Sequence, residues 1–383
     1  MKTQVAIIGA GPAGLLLGHL LYEAGIDTVI LENRNESFLR ANWKGGLLET
    51  DIAQFLIKNG VGERLQGEGI RIKGVHFHVN GNHQQITFKD KLPILYNQHD
   101  IVGDLIDKRK AAQLPIIFEG KAQRYEELDT SNPRIHYTLD AALHTLDCEF
   151  IIGCDGYGGI SRRVIPISTR KEVKEELPYA WLDWLVDAPA SIQEPIYAWH
   201  PEGFALQIPT SDGKTNFHLQ VKRGTEKDDL PPVVEIWQQL ETRLNTKINQ
   251  GTIVKQKLDY MRQFHTNNWQ YGRLYIAGDA AHVVERTGSK GINMAFADAI
   301  YLGEAIISFY KNEDQQALTN YTNRVLVRTL KVKEFTSWFT ALLHINMEEP
   351  VKEKESQAQK ILATLMDKAS IDQLIKYHIG LPL

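Results

Sequence analysis

Cysteine is nearly absent: Cys148 and Cys154 are the only two in 383 residues, with no C-x-x-C and no neighbouring histidine cluster. Neither a zinc site nor a disulfide framework is supported, so no metal is expected and a reducing, cytoplasmic setting is the expectation. Neither sign of charge dominates. Lys plus Arg number 43 against 47 Asp plus Glu, a net charge of −4, which leaves no broad electrostatic case for nucleic acid or an anionic membrane as partner. No uninterrupted apolar run approaches the roughly 18 residues of a membrane span. The first apolar strand begins so near Met1 that no signal peptide is expected. Internal repeats and low-complexity segments are missing as well. What remains is a globular composition, 43% hydrophobic and 23% charged, in a chain long enough for two or three domains.

The most informative segment comes first. Val5-Ala6-Ile7-Ile8 runs into Gly9-Ala10-Gly11-Pro12-Ala13-Gly14, a helical pattern follows to Gly25, and a second apolar run, Thr28-Val29-Ile30-Leu31, ends on Glu32. This is the order of a dinucleotide-binding βαβ unit. Gly9 permits the tight turn, Gly11 lets backbone approach a pyrophosphate, and Gly14 lets helix pack on strand. The helix N-terminus offers free N–H groups to the phosphates, and Glu32 is placed to accept from a ribose.

Further along, Asp51 to Asn59 reads as a helix, 70 to 88 as a hairpin around Asn80-Gly81, 100 to 112 as a helix and 115 to 152 as several strands. Residues 178 to 221 alternate as strands of an antiparallel sheet, with a turn at Ser211-Asp212-Gly213-Lys214. Helices are expected at 231–248 and 293–310 and through the last seventy residues or so. Two more strand-to-turn segments repeat the design of the first: Ile151-Ile152-Gly153-Cys154-Asp155-Gly156 and Tyr275-Ile276-Ala277-Gly278-Asp279-Ala280-Ala281-His282.

These three segments, in this order, resemble the FAD-binding signature of the class A flavoprotein monooxygenases. Met1–Leu21, Lys44–Glu49, Ile152–Pro166, Ile196–Leu206, Leu274–Asp298 and Gly380-Leu381-Pro382 extend the resemblance over nearly the whole chain. It implies an α/β fold: a Rossmann-like FAD domain (1–177, with the 70–95 hairpin reaching the substrate side), an inserted antiparallel substrate sheet (178–268), a return to the FAD domain (269–345) and a helical C-terminal region (346–383). It also implies a single-component aromatic hydroxylase using NADPH or NADH and O2, acting on a phenolic or related aromatic compound through a flavin C4a-hydroperoxide. The resemblance and the helical C-terminus point to a homodimer.

Carried over by position, Glu32 meets the ribose of FAD. Asn42, Trp43, Lys44, Gly45, Gly46 and Leu47 line the flavin, and Gln98 touches the linker region of the cofactor. Asp155 serves FAD and the nicotinamide donor, Asp279 holds the ribityl chain, and Gly291 and Ile292 offer backbone N–H groups to the ring. Tyr197 matches the tyrosine that binds the substrate hydroxyl and helps remove its proton. The nicotinamide would be met by Arg34, Arg40, Arg162 and Arg262, with Lys44 nearby. Asn33 and Gly158 replace an arginine and a histidine of the family, and NADPH is favoured only slightly.

The substrate positions depart from the family. The serine and arginine that grip a benzoate carboxylate correspond to Ile208 and Thr210, the tyrosine that assists them to His218, and a neighbouring arginine to Asn216. With the clamp replaced, 4-hydroxybenzoate is not the expected substrate. Arg286 stands where the family has a proline, and is either a new anchor for an acidic substrate or half of a surface pair with Glu285. His378 replaces the second tyrosine of the proton relay, either as a general base or as a packed histidine; Ile72 replaces the histidine that opens the relay to solvent. Two other readings compete. A flavin-dependent halogenase would carry W-x-W-x-I, which Trp181-Leu182-Asp183-Trp184-Leu185 only approximates. A non-hydroxylating NAD(P)H-dependent flavoprotein would show no stimulation by aromatics.

Overall fold

The computed structural model describes residues 1–383. Its nucleotide-binding half is a six-stranded sheet in the order Gln270–Tyr271, Leu274–Ile276, Phe150–Gly153, Val5–Ile8, Thr28–Glu32 and Ile116–Phe118. All neighbours are parallel except the edge strand Gln270–Tyr271. Val5–Ile8 and Thr28–Glu32 are buried at every position, as expected of apolar strands covered on both faces. Helices Pro12–Glu23 and Gly291–Asn312 pack on this sheet in one continuous core. A three-stranded meander, Lys121–Glu126, Arg134–Leu139 and Ala142–Asp147, flanks it.

The 22-residue helix Gly291–Asn312 qualifies the expectation that nothing is apolar and long enough to span a bilayer: by length and composition it is, yet 78% of its apolar window is buried inside the protein. Asp298 and Glu304 interrupt its apolar run, so the sequence shows no unbroken stretch there. Each of its buried side chains, such as Phe296, Ile300 and Leu302, stabilises the core by roughly 1.5–3 kcal/mol.

The second half is an eight-stranded sheet in the order His282–Val283, Thr252–Thr266, Glu172–Asp187, Thr215–Lys222, Ala205–Pro209, Ile196–Trp199, Gly74–Val79 and Asn82–Thr87. Alternation sorts its side chains by face. Leu182, Trp184, Ala198, Phe217 and Leu219 face helix Val233–Leu244 and its Trp237. Trp181, Tyr197, Phe204, Leu206 and Ile208 face the C-terminal helices through Phe335, Phe339 and Leu343. The boundaries shift accordingly. Strand Glu172–Asp187 begins before the expected junction at 178, because its first residues pair with Gln263–Thr266. Helix Tyr321–Leu343, assigned to the FAD domain, ends against the substrate sheet.

Candidate active site

The glycines of the first loop differ in what surrounds them. Gly9 has φ +106°, and a Cβ there would lie 2.3 Å from the Cys154 carbonyl oxygen; one on Gly14 would lie 2.1 Å from the Gly9 carbonyl oxygen. These two hold the fold. Gly11 has nothing within 4 Å of a would-be Cβ, as does Gly291 at the start of its helix. Two helix N-termini therefore start on a glycine with free space beside it. Glu32 is buried, accepting from Ala10 N at 2.7 Å and Arg34 N at 2.8 Å, which fixes the loop and leaves lone pairs for a ribose.

The other two loops close around the same place. Asp155 Oδ2 accepts from Ser161 N and Oγ at 2.9 Å, while its Oδ1 is buried without a partner; burial raises its pKa above the usual carboxylate value. Asp279 lies exposed in the 3-10 turn Gly278–Ala280. That turn is fixed from behind by Asp298, whose Oδ2 accepts from Gly278 N at 2.9 Å and pairs with His282 Nε2 at 2.7 Å.

Residues 42 to 47 cross between the two halves. Asn42 and Lys44 are exposed, Trp43 is buried with its Nε1 unpaired, and Gln98 N donates to Lys44 O at 3.2 Å. A Cβ on Gly46 would lie 2.1 Å from Tyr96 O, so only glycine fits. Leu47 pairs with Leu95. Gly45 faces the substrate sheet, its would-be Cβ 3.4 Å from Asn216 Nδ2. Asn293, one residue beyond the buried Ile292, ties this strap to the second helix, donating to Leu47 O and accepting from Glu49 N, each at 2.8 Å.

On the sheet, Phe77, Tyr197, Leu206, His218, Asp183 and Lys257 are partners in successive register, one cross-strand row on one face. The Tyr197 hydroxyl is buried with no partner, and burial pushes its pKa up. The His378 ring stands edge-on to Tyr197, centroids 5.9 Å apart. His378 Nδ1 donates to Leu374 O at 2.7 Å, and its Nε2 has no partner. Burial, with Lys290 adding to it, drives its pKa down to about 3. Of the two roles expected of His378, that of general base is corrected: the ring is a neutral, weakly basic acceptor packed inside an aromatic wall.

Four further expectations change. Arg286 is no free anchor, and it does not pair with Glu285. Its Nη1 donates to Asp183 Oδ2 at 2.7 Å and reaches Asp259 at 3.0 Å, with the guanidinium over Trp181. Glu285 instead accepts from Thr336 and Ser337. Thr210 turns its hydroxyl to Asp212 and to Lys214 N and O, closing the turn rather than lining a pocket. Arg162 is buried, donating to Ala280 O and Tyr157 O beside Glu172, so it is a bolt between loops and not a surface cation. Arg40 is tied to Glu36 and Asp107. Arg34 lies exposed over Phe38, and Arg262 half-buried over Tyr157, neither paired with an acid. Ile208 and Asn216 are buried on the row's face, Asn216 Oδ1 without a partner.

Sequence reasoning missed two charged centres. Glu49 binds Lys290 at 3.0 Å and Arg328 at 2.7 Å, and Arg328 also holds Leu381 O and Pro382 O, so the C-terminus is strapped beside the Gly291 helix start. Asp183, wholly buried, gathers His218 at 2.6 Å, Arg286 at 2.7 Å and Lys257 at 3.4 Å. A lone acid inside Trp181-Leu182-Asp183-Trp184 was the available signal. Trp181 and Trp184 point to opposite faces, against His344 and Trp237, and are packing residues.

The FAD binding domain family matches residues 2–336. The chain is 32% identical over 391 aligned residues to p-hydroxybenzoate hydroxylase of Acinetobacter baylyi, covering 100% of this chain and 96% of that one. This chain belongs to the class A flavoprotein monooxygenases. It is an FAD-dependent aromatic hydroxylase by that kinship. Among solved structures, p-nitrophenol 4-monooxygenase from Pseudomonas putida superposes with a TM-score of 0.84 at 16% identity, covering all of both chains, and a flavin-dependent halogenase with 0.72 at 18%, covering 100% of this chain and 74% of its own. At such identities the likeness speaks to fold alone.

Proposed function

We propose that this hydroxylase is reduced by NADPH or NADH and inserts one oxygen atom of O2 into a phenol or related small aromatic lying along the Tyr197 row. The single observation that carries the reading is the Tyr197 hydroxyl, buried and unpartnered on the wall of the sheet that faces the glycine-lined strap. A buried hydroxyl without a partner costs free energy unless a ligand satisfies it.

The residues present fit FAD. Gly11 and Gly291 leave open helix N-termini for a pyrophosphate and for the electron-rich edge of a reduced ring. Glu32 would hold the ribose and exposed Asp279 the ribityl chain. When bound, FAD supplies the storage of two electrons and the activation of oxygen. The chain supplies the rest. Tyr197 binds the substrate hydroxyl, orients the ring and takes part in its deprotonation, while His378 Nε2, too weakly basic to keep that proton, can accept a hydrogen bond behind it. Phe77, Phe339 and Leu206 keep water from the reacting centre. Arg34 and Arg262 are the cations left free for the nicotinamide donor, and Arg34 favours a 2′-phosphate.

The test is a screen of phenols, anilines and their carboxylates for accelerated NAD(P)H oxidation by the FAD-loaded protein, with products identified by mass. An increase of one oxygen atom, coupled to NAD(P)H consumed, supports the reading. Stimulation by no aromatic returns the chain to a non-hydroxylating flavoprotein, and a halogenated product formed only with halide returns it to a halogenase.

A further inference from the structure

The row that carries Tyr197 has a second polar end. His218 stands two strands away on the same face, with Leu206 between them, a separation of about 10 Å from strand spacing. An aromatic ring with a polar group para to its hydroxyl spans that interval.

Asp183 decides what His218 can do there. Burial opposes its ionisation, but Arg286, His218 and Lys257 outweigh burial and hold its carboxyl well below the usual range. An ionised carboxylate only accepts, so at 2.6 Å His218 Nδ1 carries the proton and donates it. Burial keeps the imidazole neutral, lowering its pKa. Its Nε2, which makes no hydrogen bond, is then an acceptor. Asn216 lies two residues back on the same face, and its amide oxygen is also unpaired. The two cations at this end, Arg286 and Lys257, already face Asp183 and Asp259. This end of the row therefore offers an acceptor at His218, an Asn216 amide able to accept or donate, and no positive charge without an acid beside it, in place of a carboxylate clamp.

We propose that His218, with its tautomer locked by Asp183, selects phenols whose far substituent is an uncharged hydrogen-bond donor, such as a hydroxymethyl or amide group, over phenols bearing a carboxylate. The proposal rests on the hydroxylase reading above and names its substrate class. His218 is a specificity-determining residue and Asp183 a positioning one.

The experiment titrates FAD-loaded protein with 4-hydroxybenzyl alcohol, 4-methylphenol and 4-hydroxybenzoate, reading perturbation of the flavin absorbance. The benzyl alcohol binds at least about 10-fold tighter than either of the others, because a site built to pair with a hydroxyl rejects analogues that lack it. His218→Leu brings the alcohol and the methylphenol within about 2-fold, and His218→Gln, which keeps an acceptor, preserves the preference. If either variant loses FAD, the wild-type ratios decide alone. Equal or tighter binding of 4-hydroxybenzoate overturns the inference while leaving the hydroxylase reading intact, and so does an unchanged preference in FAD-loaded His218→Leu. A flavin that responds to none of the three, in a protein stimulated by no phenol, overturns both.

Discussion

The hydroxyl of Tyr197 and the Nε2 of His378 are both buried and both without a hydrogen-bond partner, on rings 5.9 Å apart and nearly perpendicular. Two such orphans side by side are where the proposed substrate would complete the protein. Tyr197→Phe removes a hydroxyl that bonds to nothing in the ligand-free state, so the apoprotein should lose less than about 1 kcal/mol of stability, where a bonded tyrosine would lose more. FAD content should be unchanged, and aromatic hydroxylation should slow by about 100-fold if the hydroxyl handles the substrate proton. Chemical denaturation and product formation read the two effects separately; unchanged turnover removes Tyr197 from the chemistry.

Two of the deeply buried histidines, His344 and His378, contribute a pH dependence to folding. His344 accepts from Trp181 Nε1 at 2.7 Å, and burial pushes its pKa down to about 3, as for His378. With folded pKa values below the unfolded value near 6.5, the unfolded chain binds more protons between them. The stability held by these neutral rings is complete above about pH 6.5 and falls as pH drops toward 3. By pH 5 each histidine forfeits about 2 kcal/mol. His344→Gln keeps an acceptor for Trp181 and cannot titrate, so its stability should decline less steeply between pH 7 and pH 5. Parallel curves for variant and wild type reject the assignment.

Asp183 makes a contrast with the residue that leans on it. Asp183→Asn strips the counter-charge from a fully buried position and leaves His218, Arg286 and Lys257 facing one another. A loss of about 3 kcal/mol is expected. Arg286 is a third exposed although its partner is not exposed at all, and Arg286→Met, which leaves His218 and Lys257 on the acid, should cost less, about 1–2 kcal/mol. Urea unfolding of both variants gives the order; Arg286→Met as damaging as Asp183→Asn means that the acid is not the hub.

What the chain discloses by itself is the part that depends on neighbours in sequence. The Gly9–Gly14 loop, the helix after it and the acid at Glu32 are local, and alternation at 178–221 names a sheet. Register is not local. That Tyr197, Leu206, His218, Asp183 and Lys257 share one row emerges only when five strands are aligned. Arg286 shows the consequence. Its position beside the substrate loop suggested an anion anchor, yet which acid it meets is set by a strand more than a hundred residues away. Arg162 misled for the same reason: a surface cation and a buried bolt read alike until the Ala280 carbonyl is placed beside it.

The glycines of the first loop separate folding from cofactor binding. Gly14→Ala drives a Cβ to 2.1 Å from the Gly9 carbonyl oxygen, with the Ile7 and Cys154 side chains at 3.1 and 3.2 Å, so the helix must move off its strand. The apoprotein itself should lose several kcal/mol, on the order of an overpacked core site. Gly11→Ala meets nothing within 4 Å and has φ in no forbidden region, so the apoprotein should melt within about 2 °C of wild type. The added methyl nevertheless occupies the space through which backbone approaches a pyrophosphate. FAD affinity should therefore fall at least about 10-fold in Gly11→Ala with folding untouched, measured by flavin fluorescence on reconstitution. If Gly11→Ala takes up FAD as wild type does, the dinucleotide does not lie over this loop.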